Sequence, residues 1–397
     1  MFIRLNVKNF LSFSDRNSGD DKISHEFSLL AGNTRLKNEH LFKIHNSKAL
    51  KFSAIYGANA AGKTNLIKAL SFIKQTVTLG LPEGHTKLFC RTKPENEFKP
   101  SYFEIQFSIE NHCYSYGFEV VLSKGEFISE WLVEVCKQGE HELFLRDIKN
   151  GETKLSNKIF SDKLKMYSDD ISDDSSTLLI TVMNRNKKHF YHDYPAALPL
   201  YYVFEWLNTK LKILCYNENF DFSYMFNSTK YDEICKMFHF FDTGITGYQI
   251  KSNNIIFQHG DIDVPISEES SGTIQLIGLL PVLLSNETDN STYIIDNLDS
   301  GRSLHPLLTY HFVNKFLNLV NKRNCQLIIT THETILLNQD LLRRDEIWFV
   351  DKNAEGESIV YSLDDFNIRF DKVIEKAYLE GRYGGVPIFK PLFLQED

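Results

Sequence analysis

The sequence predicts an α/β fold with a mixed β core built from both chain ends, an antiparallel side sheet and a mostly helical insertion. Three observations lead there. Residues 50–56 read as a strand that runs straight into a glycine-bounded loop and then a helical segment over 63–76. Alternating runs fill 101–135. From about residue 273 onward, strands and helices alternate, the pattern of a largely parallel sheet covered by helices.

The elements follow in chain order. Residues 1–13 alternate apolar and polar side chains (Phe2, Arg4, Leu5, Asn6, Val7, Lys8) and predict an opening strand. Beyond the loop, Leu66, Ile67, Leu70, Phe72 and Ile73 recur near helical spacing. The runs 102–109, 113–122 and 127–136, separated by Asn, Gly and Lys turns, predict antiparallel strands. Between 156 and 247 the character changes: an acidic, serine-rich turn (Ser168, Asp169, Asp170, Asp173, Asp174, Ser175) precedes expected helices over 195–214 and 231–241. No heptad pattern persists there, which excludes a long coiled coil. The last third predicts helices over 274–284 and 307–320 and strands over 293–295, 326–331 and 346–351.

Composition narrows the function classes. A net charge of −8 argues against coating nucleic acid with the whole surface. The local basic segment Arg185, Lys187, Lys188 and His189 reads as a solvated face. The six cysteines are scattered and never spaced CxxC, so free thiols in a reducing cytosol are expected rather than zinc or disulfides. With no signal-peptide pattern and no run of about 18 apolar residues, a cytoplasmic protein without membrane contact is expected.

Four motifs carry chemistry. Gly57-Ala58-Asn59-Ala60-Ala61-Gly62-Lys63-Thr64 fits G-x-x-x-x-G-K-[ST]. Small residues let backbone N–H groups close around phosphate oxygens, Lys63 reaches the β/γ-phosphates, and the Thr64 hydroxyl takes a position on Mg²⁺. Tyr293-Ile294-Ile295-Asp296 is an apolar strand ending in a carboxylate suited to Mg²⁺. At Thr330-Thr331-His332-Glu333 another strand ends in a histidine able to bond a γ-phosphate or an attacking water. Glu268-Glu269-Ser270-Ser271-Gly272-Thr273 precedes a helix; it is either an anion site of hydroxyls and free N–H groups or an N-cap with nothing bound.

Together these motifs resemble the ABC-type ATPases of the SMC-like and RecF-like branch, of which Asn65-Leu66 after Lys63-Thr64 is typical. The resemblance implies a P-loop ATPase head that binds ATP and Mg²⁺ through residues 57–65 and Asp296. Ser270, Ser271 and Gly272 occupy the family's signature, which closes over the γ-phosphate of a second subunit, and His332 its switch histidine. It also implies a division into 1–155 (head with P-loop and side sheet), 156–247 (insertion) and 248–397 (head with signature, Asp296 and His332), and a homodimer at least.

More narrowly, the chain is similar to stand-alone bacterial ATPases of abortive-infection and other anti-phage systems. The likeness includes 7–13, Ser303-Leu304-His305-Pro306-Leu307-Leu308-Thr309, 342–349 and the tail run Tyr378-Leu379-Glu380-Gly381-Arg382-Tyr383-Gly384-Gly385-Val386-Pro387. It implies a sensor that answers a phage-derived trigger and controls a separate effector such as a nuclease. A RecF-like DNA-maintenance ATPase and a non-hydrolysing ATP-bound scaffold are the alternatives, and direct nucleic-acid binding stays open. By the same resemblance Asn9 and Phe10 lie in the region of the adenine.

One departure matters. Where the family has a glutamate after the magnesium acid, this chain has Asn297, and an amide cannot take a proton from water. General-base help is worth about 10²–10⁴-fold. Either turnover is slow or absent, or Asp299 has taken the role, or the residue was altered. Gly301-Arg302 also lengthens this loop relative to the family's spacing.

Overall fold

The computed structural model describes residues 1–397 except 16–25, 33, 35, 45–46, 186, 188, 216–219, 253, 285–288, 300–303, 321–322, 367–372 and 388–397. Lys188, Ser303 and the pair Gly301-Arg302 therefore lie outside the described residues.

A six-stranded sheet forms the core, in the order Leu211–Cys215, Thr292–Asp296, Gln326–Thr330, Phe52–Tyr56, Ile347–Lys352, Ser358–Ser362. The first five strands are parallel and the last is antiparallel, so the sheet is mixed. Its central strands are buried on both faces, which explains why Phe52–Tyr56 and Gln326–Thr330 read as continuous rather than alternating runs. Helices Lys63–Leu79, Ser271–Leu283 and Pro306–Val320 follow the loops as expected.

The second sheet is antiparallel and seven-stranded. It contains the expected strands Ser101–Ile109, His112–Val121 and Glu126–Cys136, extended by Gly139–Asp147 and Glu152–Leu155. The opening strand, Phe2–Lys8, belongs to this sheet, between Ser101–Ile109 and Glu26–Ser28. Gln326 staples the two sheets: its buried amide accepts from Phe2 N at 2.6 Å and donates to Phe2 O at 2.9 Å and Leu50 O at 2.8 Å.

The helix expected over 195–214 is corrected. It breaks into Leu198–Glu205 and a π-turn over Trp206–Lys210, and Leu211–Cys215 is a strand pairing in parallel with Thr292–Asp296. Tertiary pairing overrides local propensity there. A small sheet over Gly247–Lys251, Asn254–His259 and Ile262–Pro265 leads into helix Ser271–Leu283.

The basic segment has structural partners. Arg185 donates to Leu79 O at the end of the loop helix, and Lys187 Nζ lies 3.0 Å from the centre of the Tyr167 ring. The run 342–349 is likewise a buried latch. Arg343 pairs with Asp345 at 2.6 Å, Asp345 accepts from Gly32 N at 2.8 Å, and Glu346 meets His40 at 2.8 Å. It ties the hairpin Leu41–Ile44/Ser47–Leu50 region to the core.

Candidate nucleotide site

Adjacent parallel strands release their chains at one edge of the core sheet, the place where open α/β sheets bind ligands. Phe52–Tyr56 leads into the loop 57–62, Thr292–Asp296 into Asn297–Asp299, and Gln326–Thr330 into Thr331 and His332. Registers Ile329↔Ala54 and Ile295↔Ile329 bring those three exits side by side.

The loop has no room for larger residues. A Cβ on Gly57 would sit 2.3 Å from Val350 O, and one on Gly62 would sit 2.1 Å from Ser358 Oγ. Gly62 also has φ +121°, which an L side chain adopts only under strain. Ser12 and Ser358 back the loop from behind: Ser358 Oγ donates to Ala61 O at 2.6 Å and accepts from Ser12 Oγ at 2.7 Å, and Asn65 Nδ2 donates to Ser12 Oγ at 2.8 Å.

Lys63 is 5% exposed. Its ammonium donates to Gly57 O at 2.8 Å and Ala58 O at 3.3 Å and contacts His332 Nε2 at 3.1 Å. It makes no ion pair among the described residues. Burial pushes its pKa down to about 8, while Asp299 and Asp296 pull it back up. A buried cation held only by carbonyls and an imidazole, without a paired carboxylate, is a place for an anion. His332 is held below its ordinary value by burial and by Lys63, so it is neutral at pH 7 and its Nε2 accepts from the ammonium.

Asp296 is buried, and its Oδ1 accepts from Thr330 Oγ1 at 2.7 Å and Thr64 Oγ1 at 3.3 Å. Asn297 adopts φ +55°, and its N–H donates to Thr330 Oγ1 at 2.6 Å. Asp299 Oδ2 accepts from His332 N at 2.8 Å, whereas its Oδ1 is buried without a hydrogen-bond partner among the described residues. Gln275 Nε2 donates to Leu298 O at 2.8 Å and so braces this loop from helix Ser271–Leu283. Burial and Asp299 together raise the Glu333 carboxyl.

Lys63, Thr64, Asp296, Asp299 and His332 thus converge. Ser270, Ser271 and Gly272 do not join them. Ser270 Oγ caps its own helix, accepting from Thr273 N at 3.1 Å; Ser270 and Ser271 are exposed and Gly272 is half-buried. Asn9 and Phe10, expected in the region of the adenine, are 0% and 1% exposed. The Asn9 amide is consumed by Asn96 O, Lys99 O and Cys90 N, and Phe10 packs on Phe72 and Phe103. Ser12, Gln275, Thr330 and Ser358 were not singled out as site residues, because single hydroxyls and amides carry no spacing signal. Thr330 stands beside Thr331 and His332, and Ser12 in the run 7–13, both segments that the sequence marks.

These residues fit a nucleotide and its metal on two observations. The Lys63 ammonium, without an ion pair among the described residues, lies inside a loop of small residues, and the Thr64 hydroxyl and Asp296 carboxylate meet at 3.3 Å.

A family model described as "AAA domain, putative AbiEii toxin, Type IV TA system" matches residues 52–162 and 239–338, more than half of the chain. Both matched blocks carry residues of the converging set, the loop in the first and Asp296, Asp299 and His332 in the second. No curated protein matches the chain. A solved SMC head domain from Thermotoga maritima is similar at 16% identity with a TM-score of 0.42, over 91% of this chain and 98% of that chain.

Proposed function

The chain belongs to the family of AAA domains described as putative AbiEii toxin of a type IV toxin–antitoxin system, and on that premise we propose that it binds Mg²⁺-ATP at residues 57–65 and hydrolyses it slowly with Asp299 as general base. The observation that supports this most is the convergence of Lys63, Asp296, Asp299 and His332 at the ends of neighbouring strands.

ATP is the substrate. Its phosphates replace the Gly57 and Ala58 carbonyls as partners of Lys63, and the backbone N–H groups of the loop take the remaining oxygens. Thr64 and Asp296 would hold the Mg²⁺, which supplies neutralising charge to the phosphates when bound. Neutral His332 keeps the Lys63 ammonium aimed. The bond from His332 N holds Asp299 through Oδ2 and leaves Oδ1 for a proton from water.

The experiment is steady-state ATP hydrolysis by wild type beside Asp299→Ala, Asn297→Glu and Lys63→Ala. The expected outcome is measurable turnover that falls about 10²–10⁴-fold in Asp299→Ala and vanishes in Lys63→Ala. A different pattern favours a second reading that Asn297 suggests. If wild type binds ATP without turnover and Asn297→Glu restores it, the chain is an ATP-held switch.

The exposed Ser270 and Ser271 support a dimer in which each subunit's signature meets the other's nucleotide. Sedimentation with ATP should then show a dimer that Lys63→Ala cannot form; a monomer under both conditions would remove this part of the proposal. A role in bacterial defence through a separate effector belongs to the same proposal; the family description, a putative toxin of a type IV toxin–antitoxin system, supports the defence part.

A further inference from the structure

The tail run 378–387 has no part in the chemistry above, yet it is built against the nucleotide loop. Gly384 and Gly385 both adopt left-handed backbone, at φ +69° and +67°. A Cβ on Gly385 would lie only 3.5 Å from the Gly57 Cα, and one on Gly384 would lie 2.5 Å from the Tyr361 hydroxyl. The turn is pinned at three points. Gly385 N donates to Asp351 Oδ2 at 2.8 Å, Tyr378 OH donates to Gly385 O at 3.0 Å, and Tyr361 OH donates to Tyr383 O at 2.7 Å. Beneath it, Phe349 stacks on Tyr378 at 5.5 Å and on Tyr383 at 5.9 Å, and Tyr56, the residue before Gly57, meets Tyr378 edge-on at 5.8 Å.

The same segment reaches the histidine exit. Glu375, on the short helix Ile374–Leu379, accepts from Thr334 Oγ1 at 2.7 Å, two residues beyond His332. Tyr56 OH donates to Glu333 O at 3.2 Å, closing the circuit between the two exits.

We propose that residues 373–387 form a positioning clamp on the nucleotide site, in which Asp351 sets the turn that abuts Gly57 and Glu375 sets the segment carrying His332. Neither residue touches the reacting atoms; each acts through the backbone it holds. Both Gly57 O and His332 Nε2 are partners of the Lys63 ammonium, so a shift of either exit moves the group that grips phosphate. The inference rests on the ATP reading of the site.

The test uses the full chain and measures affinity for a fluorescent ATP analogue together with thermal melting, for Asp351→Ala, Asp351→Asn, Glu375→Ala and Glu375→Gln. Each alanine variant should weaken binding about five- to tenfold, the scale of one typical hydrogen bond lost. Asn and Gln keep an acceptor oxygen and should restore most of the affinity. Melting temperatures lowered in the alanine variants with unchanged affinity in the folded fraction would mean a merely structural segment and would overturn the clamp. Wild type that fails to bind, like Lys63→Ala, would remove the ATP reading and the clamp with it.

Discussion

Two charged clusters in this molecule look alike in composition and differ in what they leave unmade. On the antiparallel sheet, Glu130 and Arg146 face each other across paired strands, 3.7 Å apart and both 0% exposed. The Glu130 carboxylate accepts from Leu179 N at 2.6 Å, Ile180 N at 3.2 Å and Tyr116 OH at 3.0 Å. Arg146 donates to Thr177 O and Asp174 O, each at 2.7 Å, and to Ile171 O. Apart from Arg146 Nε, its polar atoms have partners among the described residues. At the nucleotide site the cation makes no ion pair, and the nearby Asp299 keeps a buried oxygen with no partner, both among the described residues. The first cluster is closed and holds the acidic turn and helix Leu179–Arg185 onto the sheet. The second has open valences, which is what a site that must bind something requires.

The comparison breaks if the closed cluster tolerates loss or the open one does not. The largest effect is expected for Glu130→Ala, which strands a buried guanidinium. Removing one partner of a buried pair costs about 3–5 kcal/mol. Denaturant unfolding should show that loss, while ATP affinity per folded molecule stays at the wild-type value; equal damage to affinity would mean the two clusters are coupled.

Asp299→Ala should do the reverse and sharpen the contrast. It removes a carboxylate whose Oδ1 has no bond among the described residues, so stability should change by about 1 kcal/mol or less, against the large loss of turnover set out above. A stability loss on the scale of Glu130→Ala would make Asp299 a structural residue.

The smallest effect concerns pH and Lys63. Its folded pKa of about 8 lies below the ordinary 10.5. Between those values the unfolded chain holds a proton that the folded chain has released, so this group's contribution to stability rises with pH across the window. Phosphate binding needs the ammonium, so ATP affinity should fall over the same window, by at most about tenfold per pH unit. Melting and nucleotide titrations from pH 7 to 9.5 test the opposed trends. Parallel trends would mean that Lys63 does not titrate there.

Much of the site was legible in the chain because its parts are short and contiguous. Residues 57–64 form one turn whose backbone N–H groups must converge, so glycines and a Lys-Thr pair report it directly. Asp296 and His332 were legible as polar residues ending apolar runs, since a parallel strand buried on both faces exposes only its exit. The departure at Asn297, and Asp299 beside it, could also be read in place.

The rest needed the folded molecule, since it consists of partners brought together by register rather than by spacing. Nothing local marks Glu130 as the mate of Arg146, or Ser12 and Ser358 as the backing of a loop far from both. Residues 211–214 read as helix because the strand partner, Thr292–Asp296, is remote in sequence. The sequence by itself determined the chemistry of the nucleotide loop and the α/β class, both of which follow from contiguous backbone geometry and apolar periodicity. Only the tertiary structure decided which charges are closed, which are left open, and that the tail turn rests against Gly57, because hydrogen-bond satisfaction is a property of neighbours in space.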